Sequence, residues 1–413
     1  MKILIQAAVI SLLAASAAQA QHALTSWGQN DQGQGNVPAG EAFTSLSLGG
    51  LHSVGLRADG TVRCWGSNAS GQCAPPLGLK AVVQVAAGGW YNPWDSRGHS
   101  AALLVDGSVV AWGDNEFGQC DVPAEATNVR QVACGWAHTA ALRTDRSVIV
   151  WGAGLAQSSD PNWGQRDVPS DLGNVASIST RGCHIMALRD DGTVRCWGRA
   201  QEGQCGTPDV FGVVQISAGS DHSMALLADG RAICWGWDFF QQSSAVPQGE
   251  RFSKIAASTY GSLGLTIDGR VLAWGWIESA PPGLRCIREL AAGGYHIIAS
   301  VDEDIDGDGL RTCDDNCPSI ANPVQADCDN DGIGDACEVA ADAPDFNYNG
   351  VPDSCECIAD LFVDGQVNGA DLGALLSQWG AATSTTVSDL NRDGQVNGAD
   401  LGYLLASWGA CAN

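Results

Sequence analysis

Residues 216–236 read ISAGSDHSMALLADGRAICWG, and residues 132–152 repeat the pattern as VACGWAHTAALRTDRSVIVWG. In both segments a short apolar stretch ends at glycine, a second begins at histidine, and a third ends at Trp-Gly. Asp229-Gly230 separates the second stretch from the third, and Asp-Gly is a strong signal for a two-residue hairpin turn. Each unit therefore predicts three short antiparallel strands.

The Trp-Gly pairs recur with a spacing of 38–39 residues and two longer gaps. They begin at residues 27, 65, 112, 151, 197, 235 and 274. A unit of about 40 residues that supplies three or four antiparallel strands is typical of a β-propeller blade. High glycine and tryptophan contents, 52 and 15 residues, also favour strands and turns over helices.

The two ends of the repeat region are complementary. The last unit, Leu290–Val301, lacks its Trp-Gly strand, whereas Leu24–Gly28 is a lone third strand. We therefore predict a mainly β fold in which residues 21–301 form a seven-bladed β-propeller closed by its N- and C-terminal strands, which leaves no edge strand. The six complete units span 52–65, 99–112, 138–151, 184–197, 222–235 and 261–274, with Gly261 in place of histidine in the sixth.

The N-terminus predicts export. Residues 1–20 resemble a signal peptide, with Lys2, an apolar stretch over Ile3–Leu13 and the cleavage pattern Ala18-Gln19-Ala20. No later segment is apolar enough to span a bilayer, so we predict a secreted or cell-surface protein without a membrane span. Disulfides can form in such a compartment, and the chain has 16 cysteines.

Two cysteine pairs recur at one spacing. Cys64 and Cys73 flank a Trp-Gly pair and the following Gly-Gln turn, and Cys196 and Cys205 do the same. Local staples are the economical prediction for both pairs.

The repeat pattern A-G-x-x-H-(S/T)-x-A-L-x-x-D-G-x-V-x-x-W-G-x-N-x-x-G-Q resembles the regulator of chromosome condensation repeat family. The resemblance covers about two-thirds of the chain. It implies a seven-bladed propeller used mainly for protein–protein recognition, and we do not transfer the family's nuclear exchange activity to an exported chain. Because the histidine and tryptophan recur in almost every unit, we predict that they stabilise the blades and do not catalyse a reaction.

Three loops depart from the repeat and bring in aromatic side chains. In an up-down-up blade, the loop before the second strand and the loop after the third lie at the same end, so all three departures are predicted on one face. Stacking on a glycan or anchoring a partner protein is one interpretation, and packing between neighbouring loops is the other. The aromatic residues of this candidate ligand face are Trp90, Tyr91, Trp94, Trp163, Trp237, Phe239 and Phe240.

The acidic residues concentrate after Val301. Residues 302–413 hold 22 of the 46 Asp and Glu residues but only Arg311 and Arg392 as basic residues. This charge repels phosphates, so nucleic acid is excluded as a partner. Alternate acidic or amide residues followed by glycine are typical of calcium loops. Three such loops supply Asp304, Asp306, Asp308 and Asp315, then Asp327, Asp329, Asp331, Asp335 and Glu338, then Asp345, Asn347, Asn349, Asp353 and Glu356.

Residues 302–356 resemble thrombospondin type 3 repeats, through Asp315-Asn316-Cys317-Pro318, Asn322-Pro323-Val324-Gln325 and Gly334-Asp335-Ala336-Cys337. The resemblance implies a low-core segment wrapped around Ca²⁺ and ordered by disulfides. It also implies that the aspartates of the first two loops are metal ligands.

Residues 357–413 contain a duplication: Asp360–Leu372 recurs as Asp389–Leu401. We predict a short helix after each copy, Leu372–Trp379 and Leu401–Trp408. The module resembles a type I dockerin, an α-helical pair of calcium loops related to EF-hands, whose helices are unusually short here. Cys357 and Cys411 bracket the module and could join its ends. The predicted ligands are Asp360, Asp364 and Asp371 in the first loop, where Phe362 occupies the third place, and Asp389, Asn391, Asp393, Asn397 and Asp400 in the second.

The dockerin resemblance implies a cohesin-like partner. The residues Gly369-Ala370 and Gly398-Ala399 depart from the Ser-Thr-like pair of cellulosomal dockerins, which argues against a conventional cohesin.

Three functions are compatible with this organisation. The first is a secreted, calcium-binding, non-catalytic recognition or adhesion protein with an extracellular protein or glycan as its ligand. The second is a dockerin-bearing component of an extracellular polysaccharide-degrading system. The third is a secreted enzyme with a site in the propeller channel, and the lack of recognisable catalytic motifs makes it the least favoured.

Overall fold

The chain divides into two compact units, residues 1–301 and 302–413. The computed structural model describes residues 23–89, 96–153, 162–302, 304–341, 343, 345, 350–352, 355–362, 364–383 and 386–410. The predicted signal peptide therefore lies outside the described residues, as do Trp90, Tyr91 and Trp94. In the described part of the chain, no helix has the length and apolar character that crossing a membrane requires.

The first unit consists of seven three-stranded antiparallel sheets, which confirms the predicted mainly β repeat fold. The chain begins with β1 (Ala23–Gly28), which is used in the last sheet. Sheets 1 to 3 contain β2 (Ser45–Leu48), β3 (His52–Leu56) and β4 (Val62–Gly66); β5 (Val82–Ala87), β6 (His99–Leu104) and β7 (Val109–Gly113); β8 (Val129–Cys134), β9 (His138–Arg143) and β10 (Val148–Gly152). Sheets 4 to 6 contain β11 (Val175–Thr180), β12 (His184–Arg189) and β13 (Val194–Gly198); β14 (Val213–Ala218), β15 (His222–Leu227) and β16 (Ala232–Gly236); β17 (Phe252–Ala257), β18 (Gly261–Thr266) and β19 (Val271–Gly275). Sheet 7 combines β20 (Ile287–Ala292) and β21 (His296–Val301) with β1.

The two ends of the first unit meet in sheet 7. Strand β1 lies antiparallel to β21, from Ala23 opposite Val301 to Gly28 opposite His296. Every sheet remains an open, separate ladder with two outer strands, so the prediction that no edge strand remains is wrong. The sheets contact each other through side chains and not through shared backbone hydrogen bonds. A hydrophobic cluster lies between each pair of successive sheets, and Leu48, Trp65 and Ile298 form the one between sheets 1 and 7. The packing therefore returns from the last sheet to the first.

The repeated histidines connect neighbouring sheets. His52 Nε2 lies 2.9 Å from Ser100 Oγ, and His296 Nε2 lies 3.0 Å from Ser53 Oγ, which links sheet 7 to sheet 1. Ser53 Oγ donates to the carbonyl of Gln34 at 2.8 Å, so its oxygen accepts from the histidine, whose proton is therefore on Nε2. The same contact with a Ser or Thr hydroxyl is made by His99, His138, His184 and His222.

The repeated tryptophans have a similar structural role. Trp235 is 7% exposed, and its Nε1 donates to the carbonyl of Gln204 in the preceding sheet's turn at 2.9 Å. The same bond is made by Trp112, Trp151, Trp197 and Trp274. Burial of an aromatic side chain of this size, together with satisfaction of its polar N–H, stabilises each sheet junction.

The described residues of the second unit form three helices and two short ladders. Helix α1 spans Asp335–Ala340, and the duplicated module contains β22 (Gln366–Val367), α2 (Gly369–Ser377), β23 (Gly380–Ala381), β24 (Gln395–Val396), α3 (Gly398–Ala406) and β25 (Gly409–Ala410). β22 pairs with β25 and β23 with β24, so each copy contributes one strand to each ladder. The core of the module is small and consists of Ala359, Val367, Leu375, Leu390, Val396 and Leu404.

Both helices of the module begin three residues earlier than predicted and end two residues earlier. Asn368 accepts a hydrogen bond from the backbone of Ala370, and Asp371 accepts one from Asn368 N, which forms a capping box. Asn397 and Asp400 form the same arrangement at α3. The predicted starts at Leu372 and Leu401 are therefore wrong, because they were set by the apolar residues and not by the capping asparagine.

One of the two predicted propeller staples is formed. Cys196 and Cys205 are joined by a disulfide, and the thiols of Cys64 and Cys73 lie in contact at the matching positions. In the second unit, disulfides join Cys317 to Cys337 and Cys328 to Cys355. Cys357 is disulfide-bonded, and its predicted partner Cys411 lies outside the described residues.

We expect Ala111→Cys to add a staple to sheet 2. Ala111 and Cys120 occupy the positions of Cys196 and Cys205, and Cys120 Sγ lies 3.2 Å from the carbonyl of Asp114, as Cys205 Sγ lies 3.7 Å from that of Arg199. Closing a loop of this length raises the free energy of unfolding by roughly 1–3 kcal/mol. Thiol titration and thermal unfolding with and without reductant measure the gain, with Ala111→Ser as the control. If the variant has the same number of free thiols before and after oxidation, no disulfide has formed and the two positions are not equivalent to Cys196 and Cys205.

Candidate functional site

Two equivalent positions in each blade shape the loop end of the propeller. One residue immediately precedes the second strand, and the other immediately follows the Trp-Gly pair. In sheet 5 these residues are Asp221 and Trp237, and the backbone N–H of Trp237 donates to the carbonyl of Asp221 at 2.9 Å. Trp276 and Tyr260 repeat this bond in sheet 6. The side chains at these positions therefore emerge together at the junctions between sheets.

Six aromatic side chains gather at the junctions of sheets 5, 6 and 7, and we call them the aromatic cluster. The centroids of Trp237 and Tyr260 are 4.9 Å apart, and those of Trp276 and Tyr295 are 5.5 Å apart. Phe240 connects the two pairs, with its centroid 4.7 Å from that of Trp276. The members of the cluster are Trp237, Phe239, Phe240, Tyr260, Trp276 and Tyr295.

Solvent reaches part of this cluster. The side chain of Phe239 is 76% exposed and that of Trp276 is 55% exposed, while the other four members are partly buried. Ring-to-ring packing holds the exposed rings in fixed orientations, so little side-chain entropy remains to be lost on binding. Contiguous exposed aromatic surface of this kind is typical of a ligand or partner site.

Sequence reasoning found half of the cluster. It identified Trp237, Phe239 and Phe240, and the structure brings these three together. Tyr260, Trp276 and Tyr295 were missed because they lie in loops of normal length, and only insertions and replaced loops were searched. The sequence nevertheless contained a usable signal. Tyr260 and Tyr295 immediately precede the second strand of their blades, and Trp276 immediately follows the Trp-Gly pair of its blade.

A charged pair continues the surface beside the cluster. Arg199 follows the Trp-Gly pair of sheet 4, and its guanidinium contacts the carboxylate of Asp221, which is 7% exposed. Burial raises the pKa of Asp221, an effect that the neighbouring guanidinium opposes. Trp163, the fourth predicted residue that the structure describes, lies 5.7 Å from Arg199 Cζ in a cation–π contact and outside the aromatic cluster.

The His–Ser and His–Thr contacts do not form a nucleophilic site. His222 and Ser262 are both fully buried, and Ser262 Oγ donates to the carbonyl of Gln242 at 3.0 Å. Its oxygen is therefore occupied and has no access to a substrate. Burial also lowers the pKa of His222 to about 3, so the imidazole is neutral. These residues hold sheets together, as the sequence predicted.

The acidic loops share one turn. In each loop the first aspartate accepts a hydrogen bond from the backbone N–H of the glycine five residues later, which has a positive φ that favours glycine. For example, Asp304 Oδ2 accepts from Gly309 N at 2.8 Å, and Asp389 Oδ2 accepts from Gly394 N at 3.0 Å. The other pairs are Asp327 with Gly332, Asp345 with Gly350, and Asp360 with Gly365.

Two of these loops bring three carboxylates together. Carboxylate oxygens of Asp304, Asp306 and Asp308 lie within 4.8 Å of one another, and those of Asp327, Asp329 and Asp331 do the same. Burial, followed by the charges of neighbouring aspartates, raises the pKa of Asp306. Oxygen atoms of Asp306, Asp327, Glu338 and Asp389 are buried without a hydrogen-bond partner in the described residues. A donor set of closely spaced carboxylate oxygens, some lacking any partner, fits a hard cation such as Ca²⁺.

The twelfth place of the second loop agrees with this arrangement. Burial and then the carboxylates of Asp329, Asp331, Asp335 and Asp327 raise the pKa of Glu338, which places this residue beside the loop that it was predicted to close. In the first loop, Asp315 contributes to the raised pKa of Asp306. The third loop is described only in part, because Asn347, Asn349 and Asp353 lie outside the described residues, whereas Asp345 and Glu356 lie within them.

The duplicated module uses its last aspartates to join each loop to its helix. Both carboxylate oxygens of Asp371 accept backbone N–H groups, from Phe362 at 3.1 Å and Asn368 at 2.8 Å. Asp400 does the same with Leu390 and Asn397, both at 2.8 Å. Phe362 is 61% exposed and supplies no ligand atom at its place, where Asn391 supplies an amide in the second loop. The other predicted ligands, Asp364, Asp393 and Asn397, lie in the loops at their expected places.

A scan of family models matches five segments of the repeat region. The regulator of chromosome condensation (RCC1) repeat matches residues 43–72, 96–119, 129–155, 175–204 and 213–242. Five segments of this chain are similar to the RCC1 repeat. These matches fall in sheets 1 to 5, although β5 of sheet 2 lies outside them. Residues 302–413 also lie outside them, so the thrombospondin-like and dockerin-like assignments stay predictions. A search of the curated proteins found no match.

Solved structures support the same fold for the RCC1-like unit. Prp20p from Saccharomyces cerevisiae is 20% identical, with a TM-score of 0.54 over 68% of this chain and 92% of that one. Human WBSCR16 is 20% identical, with a TM-score of 0.50 over 64% and 89%. The ectodomain of the Physcomitrella patens receptor kinase CR4 is 24% identical, with a TM-score of 0.50 over 62% and 70%. These similarities show a shared β-propeller fold. The Prp20p structure was described together with its binding to Gsp1p and histones.

Proposed function

We propose that this protein is an exported, calcium-binding recognition protein whose RCC1-like propeller binds a partner protein through the aromatic cluster. The single observation that carries the proposal is the concentration of partly exposed aromatic rings at the junctions of sheets 5 to 7. Tryptophan, tyrosine and arginine dominate the energetics of protein interfaces, and the cluster lies beside Arg199. The presence of RCC1 repeats also supports a binding role over a catalytic one.

The acidic unit supplies the calcium-dependent part of the proposal. Five loops share the same aspartate–glycine turn, and two of them gather three carboxylates each. Ca²⁺ would be held by these oxygens and would neutralise their mutual repulsion. The unit would then act as a rigid spacer or docking element for the propeller.

The aromatic cluster is tested with a double variant, Phe239→Ala with Trp276→Ala. Native cell-surface and medium fractions are captured on the full chain with calcium, and the captured protein is then purified and titrated. We expect the double variant to bind at least 30-fold more weakly, because loss of an anchoring aromatic residue costs about 2 kcal/mol. Phe211→Ala is the matched control, since Phe211 is 69% exposed but precedes β14 at the opposite end of the blade.

Two outcomes would overturn the protein-binding proposal. Equal affinity of the double variant and the wild type would place the interface elsewhere. Capture of a glycan in place of a protein would assign the cluster to sugar stacking, and would favour the role in polysaccharide breakdown.

A further inference from the structure

Arg181 also departs from the repeat pattern. It directly follows β11, the first strand of sheet 4. The corresponding position is glycine in five other sheets: Gly49, Gly88, Gly135, Gly219 and Gly293. At Gly135, Gly219 and Gly293, a Cβ atom would lie about 2.2 Å from the ring of the repeat histidine, which explains the preference for glycine. An arginine at this position is therefore an unusual choice that packing alone does not require.

The side chain of Arg181 crosses the mouth of the propeller channel. Its Nη2 donates to the carbonyl of Leu48 at 3.2 Å and also contacts the carbonyl of Ala292. Leu48 ends β2 in sheet 1 and Ala292 ends β20 in sheet 7, so the guanidinium reaches from sheet 4 across the channel. Because the loop after β11 lies at the same end as the aromatic loops, this mouth opens on that face.

The channel behind the guanidinium is a cavity of about 310 Å³. The first strands of all seven sheets line it, mostly with alanine, serine and aliphatic side chains, and its described lining contains no carboxylate. Burial lowers the pKa of Arg181 to about 10, and no acidic neighbour opposes the effect. The half-buried cation thus has two carbonyl partners but no counter-charge in the described lining, and an anion would supply one.

Three serines of the lining can also donate hydrogen bonds to an anion. Ser47, Ser179 and Ser217 each accept a backbone N–H of the next sheet at 2.9 Å, from Ala87, Ala218 and Ala257 respectively. A hydroxyl that accepts in this way still has a proton to donate, and the described residues offer these three protons no acceptor. The channel therefore combines one fixed cation with several hydroxyl donors.

We propose that the mouth of the channel binds a carboxylate, with Arg181 as the cation and the serine hydroxyls as additional donors. A planar carboxylate matches the guanidinium fork, and its single charge is balanced by the single arginine. A phosphate dianion would leave one negative charge unpaired in the cavity. The carboxylate belongs to a small organic acid or to the end of a bound chain. This site does not depend on the aromatic cluster.

The test is calorimetric titration of the full chain with propionate at constant ionic strength. The wild type is expected to bind, Arg181→Gln to bind at least tenfold more weakly, and Arg181→Lys to retain part of the affinity because it retains the charge. Arg130→Gln is the matched control, because Arg130 also donates to carbonyls of the adjacent sheet, those of Val175 and Ala176, but on an exposed surface. Circular dichroism verifies that each variant is folded.

Titration with a short peptide that has a free C-terminus, and with the amidated form of the same peptide, distinguishes a small organic acid from a chain end as the source of the carboxylate. Binding of propionate alone identifies a small-acid site, and preference for the free peptide over the amide identifies a chain-end site. No binding of either carboxylate probe to the wild type, or equal binding to folded Arg181→Gln, would overturn the proposal.

Discussion

Acidification from pH 7 to pH 5 is expected to lower the free energy of unfolding of the propeller by several kcal/mol. Burial lowers the pKa of the six repeat histidines well below the usual 6.5. The values are about 3 for His52, His138, His222 and His296 and about 4 for His99 and His184. In the folded state these residues stay neutral at pH 5, whereas in the unfolded chain they bind protons below pH 6.5. The unfolded state therefore binds more protons, and stability falls as the pH falls through this window.

The size of the effect follows from the number of histidines. Each proton taken up on unfolding contributes about 1.4 kcal/mol per pH unit, so at pH 5 each histidine costs on the order of 1–2 kcal/mol. Six residues acting together would cost on the order of 6–12 kcal/mol, which is comparable with the stability of a typical domain, about 5–15 kcal/mol. A second decrease is expected below about pH 4. In that range the hairpin residues Asp59, Asp106, Asp145 and Asp191, whose pKa is lowered by hydrogen bonds from the following Ser or Thr, become protonated.

Denaturant unfolding followed by tryptophan fluorescence between pH 8 and pH 5 measures this dependence. His222→Gln is expected to reduce the slope by about one proton, whatever its effect on stability at pH 7. Leu263→Ala is the control, because it removes a fully buried, non-titrating side chain from sheet 6 and should lower stability without changing the slope. A free energy of unfolding that stays constant from pH 7 to pH 5 would contradict the assignment of neutral, buried histidines.

The fold of the first unit could be predicted because each blade carries its own local signals. Asp229-Gly230 specifies one hairpin, the Trp235-Gly236 pair ends its third strand, and the same signals recur in the other units. The pairing of β1 with β21 could be predicted by counting strands at the two ends. The alternation of turn and strand signals leaves few other ways to assign the strands of one unit. The same assignment recurs in six units, so each unit supports the assignment made in the others.

The candidate site was less predictable because it depends on contacts between blades. Trp276 looks like an ordinary loop residue in the sequence, and its importance comes from Tyr295, which lies in the next sheet. Arg181 likewise replaces one repeat glycine, but only the ring geometry shows that its side chain crosses to Leu48. The local pattern specifies a blade, whereas a surface shared by three blades requires their relative positions. Aligning the units and reading the two junction positions in turn would have recovered most of the cluster.

Removal of calcium is expected to expand residues 302–413 and make them protease-sensitive while the propeller stays folded. This segment has a net charge of −20, and in its described part up to residue 356 the buried apolar side chains are limited to Cys317 and Pro352. Packing therefore contributes little there. An ion present at a hundredfold excess over its dissociation constant stabilises the folded form by about 2.7 kcal/mol at each site. Without ions, the carboxylates of Asp327, Asp329 and Asp331 repel one another.

Limited proteolysis of the full chain in calcium and in chelator, with mass spectrometry of the fragments, locates the cleavage sites. The double variant Asp327→Asn with Asp329→Asn is expected to be cleaved in residues 302–356 even in calcium. Asp229→Asn is the matched control, because Asp229 is an exposed hairpin aspartate of the propeller and should leave the pattern unchanged. Persistent tryptophan fluorescence in chelator would report the intact propeller.

The two loops of the duplicated module provide an internal comparison. Phe362 occupies a place where Asn391 offers an amide oxygen, so the first loop is expected to bind calcium more weakly than the second. Phe362→Asn should raise the affinity of the first loop by restoring that ligand, and calorimetric titration of the full chain would detect the added tight site.

In the proteolysis experiment, equal resistance of residues 302–413 to protease with and without chelator would refute the calcium-wrapped structure. Simultaneous degradation of both units in chelator would instead refute their independence.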